Sequence, residues 1–112
     1  MSILGRVISF FSHGPAIQNL DSIDMRIDFK DGGVLLPIVA SQHLDASDEI
    51  EELIRSKLVT YLRYIDSGAL KGVAYIKVQF RCVKPPAKEA IRVIDSFQDE
   101  FRARDAALSW RS

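Results

Sequence analysis

The stretch that decides the fold is Ile23–Ala40, which reads IDMRIDFKDGGVLLPIVA. Its first eight residues alternate between apolar and charged side chains, a pattern typical of a strand with one solvent-exposed face. Turn-forming residues follow at Asp31-Gly32-Gly33, and an apolar run comes next. The stretch therefore predicts a β-hairpin, with Ile27 and Phe29 on its core face and Arg26 on its solvent face.

Pro37 selects the register of this hairpin, because proline has no N–H to donate to a β-ladder. A two-residue turn at Asp31-Gly32 would break the ladder opposite Arg26. A turn at Gly32-Gly33 places Pro37 opposite Asp28 in a non-hydrogen-bonded pair, and two glycines suit the positive φ angles of a type I′ turn. We therefore expect the second register, with the second strand at an edge of the sheet.

A capped helix is predicted after the hairpin. Asp45 or Ser47 can cap its first turn, and the acidic residues that follow suit the positive end of the helix dipole. Ser67-Gly68 ends it, since glycine readily adopts the left-handed conformation. The apolar stripe at helical spacing comprises Ile50, Leu53, Ile54, Leu58, Tyr61, Leu62 and Ile65.

A third strand and a second helix are predicted in the remaining chain. The strand covers residues 73–83, where Ile76, Val78, Phe80 and Cys82 point inward and Tyr75, Lys77, Gln79 and Arg81 point outward. Pro85-Pro86 begins the second helix, because proline is tolerated in a first helical turn. Its predicted core residues are Ile91, Ile94, Phe97, Phe101 and Leu108.

The predicted fold is an α+β two-layer sandwich with element order ββαβα, in one domain over residues 1–112. We expect the third strand to pair with the free side of the first, which gives a small antiparallel sheet of order 2-1-3 with both helices on one face. Residues 3–11 fit either an extra strand or a helix. Whether residues 1–20 form a separate N-terminal segment is therefore left open.

Composition narrows the classes of partner. Fifteen Lys and Arg balance fifteen Asp and Glu, so no net charge draws the chain to nucleic acid or an anionic membrane. The longest apolar runs fall far short of the ~20 residues of a transmembrane helix. The single cysteine, Cys82, excludes an internal disulfide and favours a reducing, cytoplasmic location.

The chain has no recognisable catalytic motif. It lacks a phosphate-binding loop, paired cysteines and the HExxH motif. His43 lies near Asp45 in sequence, so a small enzyme using this pair is one hypothesis, but a metal site would need a further ligand. We expect no catalytic residue, no metal, no cofactor and no enzymatic activity.

Surplus apolar residues point instead to protein contacts. They form an N-terminal run that ends in Phe10-Phe11, the pair Leu35 and Val39, and a helical face around Trp110. The leading hypothesis is a partner-binding protein of the accessory, regulatory or inhibitor type. It acts through these five residues, as a homodimer or on another protein.

The alternative hypothesis is binding of single-stranded nucleic acid on the open side of the sheet. Tyr75 would stack on a base, and Arg26, Lys77 and Arg81 would hold phosphates. Only one aromatic residue is predicted there, and nearby aspartates dilute the positive charge. The sequence therefore favours a protein partner.

Overall fold

The computed structural model describes residues 15–112. It contains a four-stranded mixed sheet with helices packed on one face. This confirms the predicted α+β class. The strands are β1 (Ile27–Asp28), β2 (Val34–Ala40), β3 (Ile76–Cys82) and β4 (Ala106–Arg111), and the helices are α1 (Asp48–Asp66), α2 (Lys88–Asp95) and α3 (Gln98–Arg102). The predictions for residues 3–11, including Phe10 and Phe11, lie outside the described residues.

The sheet order is β1-β2-β3-β4, so the predicted order 2-1-3 is wrong. Strand β1 is antiparallel to β2, whereas β2 with β3 and β3 with β4 are parallel pairs. Parallel neighbours need a crossover, which α1 supplies in one case and α2 with α3 in the other. Both crossovers lead to the next strand in the same direction across the sheet. Because such connections are almost always right-handed, the helices of both lie on the same face.

The hairpin turn has three residues, Lys30-Asp31-Gly32, and not the two predicted. The Phe29 N–H donates to the Gly33 carbonyl at 2.9 Å, and Gly32 has φ 93°. Ile27 therefore pairs with Leu35, whereas the turn predicted at Gly32-Gly33 would pair it with Ile38, three residues further along β2. An odd shift in register moves every side chain to the opposite face of the sheet.

This register reverses the predicted faces of the first strand. Ile27 shares a face with Leu35, which points away from the helices. Arg26 lies on the opposite face, where its guanidinium donates to Asp28 and to the carbonyl of Ala69 at 3.0 Å. The prediction that Arg26 and Lys77 share one face is therefore wrong.

Strand β2 is not at an edge, because it pairs on both sides. The Val34 N–H donates to the carbonyl of Tyr75, so it points toward β3. Because backbone groups alternate in direction along a strand, the nitrogen of Pro37, three residues later, points toward the β1 side. The two-residue strand β1 does not extend as far as this position. Side chains complete the ladder there. The Tyr61 hydroxyl donates to the Pro37 carbonyl at 2.8 Å, and the Val39 N–H donates to Asp24 Oδ2 at 2.8 Å.

A buried lysine on α1 holds the segment that precedes β1. The side chain of Lys57 is 0% exposed, and its Nζ lies 2.7 Å from Asp24 Oδ1. The ammonium also donates to the carbonyls of Gln18, Asn19 and Ser22 at 2.8, 2.7 and 2.8 Å. Four oxygens therefore replace the water that this charge would have in solution.

The end of the chain is a strand and not the predicted helix. Helix α3 stops at Arg102, and Asp105 turns the chain with φ 58°. In β4, Trp110 pairs in register with Phe80 and packs against the core. The alternation of small or polar residues with apolar ones in Ala106–Arg111 has the period of a strand.

The predicted first helix is confirmed. Ser47 is its N-cap, with Oγ accepting from the Ile50 N–H at 3.2 Å, and Gly68 follows its end with φ 89°. Cys82 packs against the core, as predicted, and burial raises the pKa of its thiol. The buried residues of the apolar stripe are Ile50, Ile54, Leu58, Tyr61 and Leu62, with Leu53 and Ile65 partly buried beside them.

We expect Lys57→Met to lower the free energy of unfolding by about 3–5 kcal/mol, because it leaves a buried carboxylate and three carbonyls without their donor. Urea denaturation measures the loss. Arg55→Met is the matched control, since it breaks only the exposed ion pair with Glu51 on the same helix and should cost under about 1 kcal/mol. Equal losses in both variants would contradict the role given to Lys57.

Candidate interaction surface

The open face is the side of the sheet on which no described helix packs. Its side chains are alternate residues of β2, β3 and β4, and they form three rows across the strands. The rows are Leu35, Lys77 and Ala107, then Pro37, Gln79 and Ser109, then Val39, Arg81 and Arg111. Each row is apolar on β2, and charged or polar on β3.

An apolar strip lies on the β1–β2 side of the open face. It consists of Met25, Ile27, Phe29, Leu35 and Val39. Ile27 pairs with Leu35, and alternation puts Met25 and Phe29 on the same face. Met25, Phe29 and Val39 are 48%, 39% and 45% exposed, and they are three of the five large hydrophobic residues exposed within residues 15–112. Exposed apolar side chains are therefore concentrated on this face.

An aromatic corner closes one end of the apolar strip. The rings of Phe29 and Tyr75 stack with centroids 6.5 Å apart and planes at 26°. The Tyr75 ring lies directly on Gly33, where an added Cβ would overlap the ring. The Lys77 ammonium lies 5.4 Å from the centre of the same ring. Gly33 and Lys77 thus occupy much of the surface that Tyr75 could offer to a base.

Asp31 anchors the Tyr75 hydroxyl, which donates to its two carboxylate oxygens at 3.0 and 2.9 Å. The Gly33 N–H donates to Oδ1 at 3.0 Å. These hydrogen bonds hold the pKa of Asp31 below its usual value, with the Gly33 bond as the largest cause and the charge of Lys77 as a smaller one. Donation to Asp31 also raises the pKa of Tyr75.

An arginine pair, Arg81 and Arg111, occupies the other end of the open face. The two residues are direct neighbours in the parallel β3–β4 register. Within residues 15–112, neither forms an ion pair. The Arg81 Nε donates to Gln79 Oε1 at 2.6 Å, and Gln79 Nε2 lies 3.5 Å from Ser109 Oγ. Like charges directly opposite each other destabilise a sheet, so this pair is electrostatically unbalanced.

The structure brings some of the predicted site residues together and separates others. Tyr75, Lys77, Arg81, Leu35 and Val39 all lie on the open face, although Leu35 is only 9% exposed. Trp110 lies half-buried on the opposite face, and Arg26 lies on that side at the edge of the sheet. The binding roles proposed for these residues stay predictions.

Three surface residues of the open face were missed: Met25, Phe29 and Arg111. The first two were missed because the register predicted for the hairpin turned them toward the core. Arg111 was missed because residues after Phe101 were assigned to a helix. The alternation in Ala106–Arg111 was the signal that could have placed it.

In the described structure, His43 and Asp45 of the hypothetical enzyme site make hydrogen bonds to other residues. His43 Nε2 lies 3.2 Å from the Pro85 carbonyl, and Asp45 Oδ1 accepts from the Ser47 N–H at 2.9 Å. The Ser47 hydroxyl, as the largest cause, and that N–H lower the pKa of Asp45, with a smaller effect from the charge of His43. Within residues 15–112, no cluster of three or more His, Cys, Asp or Glu side chains has a metal-binding arrangement. The same range contains no helix with the length and apolar character needed to cross a membrane.

Comparison with known proteins gives no match to any family model, curated protein or solved structure. The role of the open face is therefore argued from its own residues.

We expect Gly33→Ala to destabilise the fold by about 1–3 kcal/mol, because the new methyl group overlaps the Tyr75 ring and displaces it. In a Tyr75→Ala background the same change should cost less, since the overlap is gone. A double-mutant cycle by urea denaturation measures this coupling. Additive effects would contradict the packing of Tyr75 on Gly33.

We expect Tyr75→Phe to raise the pKa of Asp31 toward its usual value, because one donor to the carboxylate is lost. Since the pKa of Asp31 is lowered in the folded protein, its contribution to stability is present near neutral pH and is lost as pH falls through that pKa. NMR titration of the side-chain carboxyl carbon measures the shift. Asp45, whose pKa is lowered by Ser47 and not by Tyr75, serves as a control, and its pKa should be the same in the variant.

Proposed function

We propose that this protein is a non-enzymatic binding module, of the accessory, regulatory or inhibitor type, that docks another protein on its open face. The observation that carries the proposal is the apolar strip, where Met25, Phe29 and Val39 are each more than a third exposed. Methionine and aromatic residues are enriched in protein interfaces. Clustered exposed hydrophobics of this kind mark interaction sites more often than scattered ones do.

The architecture of the sheet supports the same proposal. Strands β2, β3 and β4 are parallel, and parallel sheets are usually covered on both faces. Within residues 15–112, the helices cover one face only. A partner that lies across the other face would give this sheet the two-sided burial that is usual for its topology.

The charges favour a different protein over a second copy of this chain. In a face-to-face homodimer, the arginine pair and Lys77 of one copy would approach a surface whose carboxylate Asp31 is already engaged by Tyr75. Such a dimer would bury cations without new acidic partners, which is costly. The proposal therefore keeps the expected protein partner but not a homodimer through this face. A reducing, cytoplasmic location accords with the single cysteine.

Single-stranded nucleic acid is the second candidate, and it is favoured by Arg81 and Arg111, which form no ion pair with any residue in the described range 15–112. Phosphates could lie on this pair, and Phe29 could stack on a base. The apolar strip argues against it, because four of its five residues are aliphatic side chains or methionine, which stack poorly on bases. Gly33 and Lys77 also occupy the surface of Tyr75.

The proposal predicts that Val39→Glu weakens partner binding without unfolding the protein, because Val39 is an exposed residue of the proposed interface. Proteins retained by immobilised wild type and variant are compared by mass spectrometry. A candidate is then purified and titrated by calorimetry against both forms. We expect at least a tenfold weaker affinity for the variant, because an apolar contact would be replaced by a charge that the partner must desolvate.

Val59→Glu is the matched control, because Val59 is exposed on α1, away from the open face. It should bind the purified partner as the wild type does. Retention of the same proteins by wild type and Val39→Glu would refute the proposal. Salt-sensitive binding of a thymidine oligonucleotide, lost in Arg81→Gln, would favour the nucleic-acid alternative instead.

A further inference from the structure

We infer that the partner segment docked on the open face is an amphipathic helix with carboxylates along one flank. This inference rests on the proposed function and adds the chemistry of the partner. The apolar strip receives the apolar side of the helix, and the arginine pair with Lys77 receives the acidic flank. No described residue supplies those carboxylates to Arg81 or Arg111.

The arginine pair is built to receive an oxyanion. Arg81 and Arg111 stand side by side in register, where like charges repel each other. Gln79 accepts from the Nε of Arg81 and fixes the plane of its guanidinium. An arginine held in this way keeps its terminal N–H groups for a carboxylate, which it binds with two parallel hydrogen bonds. A carboxylate between the two arginines would also remove their mutual repulsion.

The width of the surface fits one helix. Adjacent strands lie about 4.8 Å apart, so the distance from β1 to β3 is about 10 Å, close to the 10–12 Å diameter of a helix with its side chains. In each of the three rows, the β2 residue is apolar. The β3 residue is Lys77 or Arg81 in the outer rows and Gln79 in the middle row. Of these β2 residues only Val39 is exposed, and Met25 and Phe29 on the β1 side extend the exposed apolar surface. A helix lying along β2 would therefore meet these three side chains on one side and the cations of β3 on the other.

The spacing of the cations sets the spacing of the acidic residues. Lys77 and Arg81 are four residues apart on β3, or about 13 Å at 3.3 Å per residue. A helix rises 1.5 Å per residue, so two carboxylates about seven or eight residues apart span about 11–12 Å on one flank. Side-chain length covers the small remainder. We therefore place one acidic residue at the arginine pair and a second one about two turns away at Lys77.

The test uses two synthetic helical peptides of roughly 18 residues. Both carry the same leucine face, and they differ at two flank positions about seven residues apart, which are glutamate in one and lysine in the other. Binding to the full-length protein is measured by fluorescence anisotropy. We expect the glutamate peptide to bind at least tenfold more tightly than the lysine peptide, and Arg81→Gln with Arg111→Gln to remove that difference.

Arg55→Gln is the control, because Arg55 lies on α1 and pairs with Glu51 there. It should preserve the preference for glutamate. Equal affinity of the two peptides for the wild type would overturn the acidic flank, and the proposed function would still hold if Val39→Glu weakened both. If neither peptide bound, or if both bound Val39→Glu as well as the wild type, the docking surface itself would be refuted. Tighter binding of a thymidine oligonucleotide than of the glutamate peptide would assign the arginine pair to phosphates and refute the inference.

Discussion

The buried ammonium of Lys57 is the interaction on which the rest of the structure depends. Removing a charge from water is costly, and the cost is offset here by three backbone carbonyls and the carboxylate of Asp24, all within 2.8 Å. These oxygens belong to the segment that leads into β1. Asp24 uses its second oxygen to accept from the Val39 N–H. One ammonium therefore fixes this segment against both α1 and the end of β2.

The open face follows from that arrangement. Pro37 has no N–H to donate to a neighbouring strand, and the short strand β1 does not extend to the position opposite it. Asp24 and Tyr61 supply hydrogen bonds to β2 in place of a longer β1. Met25, the next residue after Asp24, is thereby held beside Val39, and the two line one shallow cleft. The buried network on the helix side thus determines where exposed apolar groups appear on the other side.

The sequence predicted the parts of the fold that depend on local periodicity. The stripe and caps of α1 and the inward face of β3 are confirmed because each depends on spacing within one element. The hairpin register depended on whether Gly33 belongs to the turn. It lies outside the turn, and the resulting three-residue turn reversed the predicted faces of Ile27 and Phe29. Lys57 was missed because a search for apolar stripes counts only apolar residues. The lysine nevertheless occupies a position of the buried stripe at helical spacing.

The neutral net charge of the chain conceals an uneven distribution. The acidic residues Asp48, Glu49 and Glu51 lie in the first turn of α1, where the helix dipole stabilises them. The arginine pair lies on the open face, next to Val39. At physiological ionic strength, exposed charges are screened beyond about 8 Å, so carboxylates on the helical layer do little to balance the arginines across the sheet. A charge count over the whole sequence therefore cannot exclude a local preference for an anion. That preference is set by which side chains share a face, and the pairing of β3 with β4 decides it.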